Sequence, residues 1–226
     1  MPAHFVTATG TDIGKTFVSA CLLRHWRGAG LVPDAFKPLV SGIDPDDPAG
    51  SDPAALIEAM GLDLTADTLD RVSPWRFAAP LAPNMAARKE GRLVPYTAML
   101  SACRRRVAET KGPLLVEGVG GVMAPVDDGC TVLDWMAELG LPVILVAGTY
   151  LGTISHILTA HAVLRARGLR VAALVLSQTP GGTVPPDDTV AALAPFLDGL
   201  PVLTLPRLPA GCFDHPAIAE LATLLG

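Results

Sequence analysis

Six short apolar runs alternate along this chain with longer amphipathic stretches, and that alternation restricts its fold more than any other feature. The runs are HFVTA near the start, DAFKPLV at 34–40, PLLVEG at 113–118, PVILVAG at 142–148, VAALVLS at 171–177 and PVLTLP at 201–206. Each has the length of one strand. Leu141–Gly148 carries no polar side chain, as expected of a strand buried on both faces of a parallel sheet. After the first run, Phe17, Val18, Cys21, Leu22 and Trp26 recur at helical spacing before a glycine-containing end. Similar patterns predict helices over 95–110, 131–139, 154–167, 187–197 and 215–225. Strands alternating with helices predict an α/β protein, a mostly parallel sheet with helices on both faces.

At 226 residues the chain is expected to form one domain, 1–226, with no internal repeat or linker. The long proline-rich stretch between the second and third runs contains helix-like pieces such as DPAALIEAMG. It exceeds a plain crossover and is expected to pack over the ligand side of the sheet. Half of the residues are hydrophobic, yet no apolar run approaches the ~20 residues of a membrane span. The opening MPAHFVTATG lacks the basic and long apolar regions of a signal peptide, so a cytoplasmic protein is expected. A net charge of −5, with no basic cluster beyond Arg104–Arg106, argues against nucleic acid as a partner. The four cysteines form no C-x-x-C pair and are expected to be buried or half-buried. Any metal should then be a hard ion held by oxygen.

The first run leads into VTATGTDIGKT, Val6–Thr16, and then directly into the first helical pattern. A phosphate-binding P-loop works because backbone N–H groups and a helix N-terminus surround the phosphates. Its lysine reaches the outer phosphates, and a Ser or Thr hydroxyl meets a metal ion. Lys15 and Thr16 stand where that mechanism needs them. The standard template, however, places a glycine where this chain has Thr9, and the nearest glycine is Gly10. The expected architecture is thus a P-loop NTPase-like, Rossmann-like three-layer fold.

Ligands of such sheets bind at the carboxyl ends of the strands, and polar residues gather there. Lys37 and Ser41 follow the second run. Glu117 ends the third, with Gly118 and Gly120 after it. Thr153, Ile154 and Ser155 follow the fourth and would offer first-turn N–H groups to an anion. Each has a structural alternative. Lys37 can be an ordinary edge lysine. Glu117 needs either a magnesium ion or a salt bridge, and the ion is the preferred reading. Asp52, in Ser-Asp-Pro, suits a helix start as well as a ligand. His156, Tyr150 and Trp135 read as structural.

Together VTATGTDIGKT, FKPLVSG, VEGVGG and LGTISH resemble, in order and spacing, the dethiobiotin synthetase family. The similarity runs from residue 4 to about 177 and weakly through LPVLTLPRLP. The family's loop, V-T-G-T-D-T-x-V-G-K-T, is longer than the standard template, which accounts for the misfit. Here Ala8 replaces its first glycine and Gly10 its aspartate, while Asp12 stands at a variable position. The glycine's freedom is expected to have moved along to Gly10.

The resemblance implies an ATP- and Mg2+-dependent enzyme that carboxylates 7,8-diaminopelargonic acid with CO2. The carbamate is phosphorylated to a carbamic–phosphoric anhydride, and the second amine closes the ureido ring of dethiobiotin with release of ADP and phosphate. It assigns catalytic roles to Lys15, Lys37 and Thr11, and substrate contacts to Ser41, Asp12 and the N–H groups of Thr153, Ile154 and Ser155. Thr16, Asp52 and Glu117 match its metal ligands. Nucleotide contacts are implied for Asp12, Ile13, Gly14, Lys15, Thr16, Phe17, Glu117, Gly118, Gly120, Pro206 and Leu208. Ser177 and Gln178 stand where the family often reads adenine with an asparagine. The substrate's carboxylate is clamped by the neighbouring subunit, so the resemblance also implies a homodimer. The alternatives are another P-loop amide-forming synthetase, which needs an amidotransferase partner, and a ParA/MinD-like ATPase, which usually carries a second lysine early in the loop.

Overall fold

The computed structural model describes residues 3–182 and 184–226. Its elements begin with β1 (Ala3–Ala8), α1 (Lys15–Gly28), β2 (Asp34–Phe36) and β3 (Leu39–Ser41). Then come α2 (Asp52–Ala59), α3 (Ala66–Val72), β4 (Trp75–Phe77), α4 (Pro83–Lys89), α5 (Tyr96–Glu109) and β5 (Leu114–Glu117). The rest is α6 (Val132–Leu139), β6 (Val143–Gly148), α7 (Thr153–Ala166), β7 (Val171–Ser177), α8 (Pro186–Leu193), β8 (Val202–Leu205) and α9 (Pro216–Leu225).

Six strands form one sheet in the order β2-β5-β1-β6-β7-β8, and every neighbouring pair is parallel. Alternate side chains of a strand face opposite sides, and β1 shows the consequence. Phe5 joins a core with Met99 of α5, Trp135 of α6, Ile157 of α7 and Leu193 of α8. Val6 and Ala8 join the opposite core with Val18 and Leu22 of α1, Leu56 of α2 and Leu221 of α9. The sheet is therefore covered on both faces, as expected from the sequence. Because all six strands run the same way, the residues that follow them gather along one edge.

The second apolar run is not one strand. Asp34–Phe36 pairs with β5 in the main sheet, whereas Leu39–Ser41 pairs with β4 in a separate two-stranded sheet. The break falls at Lys37-Pro38. Proline lacks the N–H that a continuing ladder requires, and the Lys37 N–H donates instead to the carbonyl of Val72. This turns Lys37 out of the sheet edge and starts the covering segment. Among the described residues, no helix is long and apolar enough to cross a membrane. Cys21 and Cys103 are buried, Cys130 and Cys212 half-buried, and all four are free.

His161 of α7 is buried, and that burial, followed by the charge of Arg165, pushes its pKa below the usual 6.5. The unfolded chain thus takes up a proton at a pH where the folded protein resists it. Stability is expected to fall as pH drops through 6.5 towards the lower folded value. In melts between pH 5 and 8, His161→Gln should show a shallower decline; an identical slope would remove this assignment.

Candidate active site

The loop after β1 carries its left-handed backbone at Asp12 (φ 56°) and Gly14 (φ 100°). Gly14 is the N-cap residue of α1 and supplies no side-chain cap. The first N–H groups of α1 are thereby left for a ligand. A Cβ on Gly14 would lie 2.7 Å from Ser177 Oγ, so the loop sits close against the end of β7. Lys15 follows and is buried. Its burial first, and the neighbouring Lys37 second, push the ammonium below the ordinary lysine pKa.

Around this loop, charges of both signs meet. Thr16 Oγ1 donates to Glu117 Oε1 at 2.6 Å. Lys37 Nζ donates to the same oxygen at 2.8 Å and to Asp52 Oδ2 at 2.5 Å. Burial works against the Lys37 ammonium, but Glu117 and then Asp52 outweigh it and raise the pKa. Burial likewise works against the Asp52 carboxylate, and Lys37, aided by Thr16, holds its pKa below the usual value. Asp52 also stands in the first turn of α2, where Ser51 rather than Asp52 is the N-cap. Ser19, which no motif pointed to, donates from α1 to Glu117 Oε2 at 2.6 Å. Its one sequence signal is a polar residue three positions after Thr16 inside the apolar run FVSACLL.

A cavity of about 800 Å³ opens in front of these groups, lined by Thr11, Lys15, Thr16, Lys37, Ser41 and Asp52 among others. The segment between β2 and β5 walls it with residues 40–43, 50–52 and 80–83, as its length suggested. Ser41 Oγ donates to the carbonyl of Leu81 at 2.6 Å, tying two parts of that wall together. A second cavity, about 440 Å³, is lined by Asp12, Ile13, Gly14, Phe17, Ser177, Gln178, Pro206 and Leu208. The two share Asp12, Gly14 and Phe17, so the phosphate loop lies between them. Gln178 Oε1 accepts from the N–H of Arg207 at 2.9 Å, fixing its carboxamide at the second cavity.

The structure adds detail to two expectations and overturns a third, that on Gly10. Gly120 lines the large cavity, but Gly118 lines neither. A Cβ on Gly118 would lie 2.9 Å from Phe5 Cε1, so its missing side chain makes room for core packing. Thr153, Ile154 and Ser155 also line neither cavity. The Thr153 N–H already donates to the carbonyl of Tyr150 at 3.0 Å, and its hydroxyl donates to Gly148 O. Lastly, Gly10 is not in the left-handed region, and a Cβ there would make only ordinary contact with Ile13 at 3.7 Å. The conformational freedom belongs to Gly14, with Asp12 bearing the other unusual φ.

A family model described as an AAA domain matches residues 3–210. The ATP-dependent dethiobiotin synthetase BioD of Caulobacter sp. (strain K31) is 53% identical over 221 residues, covering 97% of this chain and 94% of that protein. The protein of the same name from Acidiphilium cryptum (strain JF-5) is 45% identical, covering 89% and 91% respectively. This chain belongs to the ATP-dependent dethiobiotin synthetase family. The cell division ATPase MinD of Pyrococcus furiosus superposes with a TM-score of 0.58 at 14% identity, covering 100% of this chain and 98% of that one. The hydrogenase maturation factor HypB of Archaeoglobus fulgidus gives 0.58 at 13%, covering 100% and 88%. These two likenesses show the P-loop NTPase-like fold alone.

For a dethiobiotin synthetase, the donor set around Lys37 suits magnesium. Thr16, Asp52 and Glu117 offer only oxygen, the donor that a hard divalent ion prefers. Among the described residues, no group of three or more His, Cys, Asp or Glu could hold a metal on its own.

Proposed function

We propose that this chain converts 7,8-diaminopelargonic acid, CO2 and ATP to dethiobiotin, ADP and phosphate. The observation that carries the reading is the convergence of two buried lysines, Lys15 and Lys37, with Asp52 on the wall of one cavity. Lys37 is held from behind by the fully buried Glu117, which does not itself line that cavity. Such an arrangement gathers several anions and neutralises charge as a phosphoryl group moves. ATP lies along the loop, its base in the second cavity beside Phe17, Ser177, Gln178, Pro206 and Leu208, its phosphates at Ile13–Thr16.

The diamine and its carbamate occupy the large cavity, near Thr11, Asp12 and Ser41. Lys15 bridges phosphate and carbamate, and Lys37 stabilises the carbamate and the transferring phosphoryl group. Thr16, Asp52 and Glu117 would hold Mg2+, which supplies charge neutralisation at the phosphates when bound. The carbamate oxygen takes the γ-phosphoryl group, and the second amine then displaces phosphate as the ring closes.

Thr153, Ile154 and Ser155 open α7 away from this chain's own cavities, and the N–H groups of Ile154 and Ser155 have no backbone acceptor among the described residues. This supports a homodimer in which each α7 clamps the carboxylate of a substrate held by its partner. A single domain working in the cytoplasm completes the proposal. A MinD-like role finds no support at the C-terminus, where α9 buries Ile218, Leu221 and Leu225 in the protein's own core.

The test combines purified protein with diaminopelargonic acid, bicarbonate, magnesium and ATP, and measures dethiobiotin by mass. Product dependent on all four supports the assignment. No product, with phosphate release indifferent to the diamine, would sink it.

A further inference from the structure

Thr16 and Ser19 stand three residues apart on α1, so their side chains share one face of the helix. Both hydroxyls point to the same carboxylate. Thr16 Oγ1 donates to Glu117 Oε1 and Ser19 Oγ to Glu117 Oε2, each at 2.6 Å. One helical turn thus grips both oxygens of Glu117, which is held besides by its place at the end of β5 and by Lys37 at Oε1.

The two oxygens have different surroundings. Oε1 also receives Lys37 and faces the place shared with Asp52. Among the described residues, the hydrogen bond to Oε2 comes from Ser19 alone. Ser19 and Glu117 are both 0% exposed, so bulk water cannot take over that bond. Helix packing does not call for serine here. Alanine has the same small size and a higher helix propensity, and it buries no hydroxyl.

We propose that Ser19 is a positioning residue for the divalent-cation site: its hydroxyl holds Glu117 at the rotation that presents Oε1 beside Thr16 and Asp52. This rests on the metal assignment under the proposed function. Without Ser19 Oγ, the carboxylate gains freedom to turn. Lys37, already 2.8 Å from Oε1, then has both oxygens within its reach and competes better with an incoming ion. Removal of a partner that orients a metal ligand typically weakens metal affinity about 10- to 100-fold.

The test uses Ser19→Ala in the full chain, with Mn2+ as the probe. Free Mn2+ is measured by electron paramagnetic resonance in the presence of a non-hydrolysable ATP analogue. Binding of the same analogue is measured separately in EDTA, and a thermal melt checks folding. The expected result is Mn2+ affinity reduced about tenfold or more, with metal-free analogue affinity held within about twofold.

Unchanged Mn2+ affinity, even with a lowered melting temperature, overturns the proposal and leaves Ser19 a packing residue. An equal loss of analogue affinity in EDTA also overturns it, since the phosphate loop itself would then be disturbed. Dethiobiotin formation by the unaltered protein is scored apart. Its absence removes the substrate assignment while the Mn2+ comparison still decides the role of Ser19.

Discussion

Lys37→Ala is expected to lower turnover by about 100- to 1,000-fold while leaving ATP bound. That is the usual consequence of removing one preorganised charge or donor from the reacting centre. Lys37 is 2% exposed and touches both Asp52 and Glu117, so the ammonium is already placed before any ligand arrives. Glu117 and Asp52 keep its pKa raised, so it stays charged throughout the working pH range. The loop and its Lys15 remain intact in the variant, which is why nucleotide binding should persist.

The same substitution removes the cation facing a fully buried carboxylate. Breaking a buried pair in this way costs about 3–5 kcal/mol. The melting temperature in EDTA should therefore fall, and magnesium with nucleotide should recover more of it in the variant than in the unaltered protein. Steady-state rates, calorimetric nucleotide binding and paired melts check the three parts. Near-normal turnover would strip Lys37 of its proposed role.

Gly14→Ala should have the second largest effect, weakening nucleotide binding by about 10- to 100-fold. Gly14 sits at φ 100°, a conformation that costs an L-residue about 1–3 kcal/mol. Its new Cβ would also lie 2.7 Å from Ser177 Oγ. Relaxing either problem shifts the start of α1 and re-aims Lys15 and the N–H groups beside it. The two causes separate in Gly14→Ala/Ser177→Gly, which removes the clash and keeps the strained φ. Binding that stays weak in the double variant assigns the effect to the backbone. Full recovery assigns it to the Ser177 contact.

Much of this fold was legible because its signals are local. Apolar runs such as PVILVAG and helical patterns such as FVSACLL are each set by neighbouring residues. The structure places β6 at Val143–Gly148 and α1 at Lys15–Gly28 accordingly. The error at 34–40 was local too, since Pro38 itself carries the reason why β2 stops at Phe36. In the site, Lys15, Thr16, Lys37 and Glu117 were legible because parallel strands bring their carboxyl ends to one edge.

Other residues required neighbours distant in sequence. Nothing near Gly118 in sequence reveals the Phe5 ring that its missing side chain accommodates. Gly10 looked like the loop's hinge until the left-handed backbone fell at Asp12 and Gly14.

The sequence by itself determined a parallel α/β sheet with a phosphate loop after its first strand, because backbone preference and hydrophobic period act over a few residues. It also narrowed the family, through four motifs in a fixed order. Only the tertiary structure decided that Lys37 lies between Asp52 and Glu117, and that Ser19 grips Glu117 from 98 positions away. Those contacts depend on how strands align and how α1 settles on the sheet. A buried charge finds its partners only when that packing has closed around it.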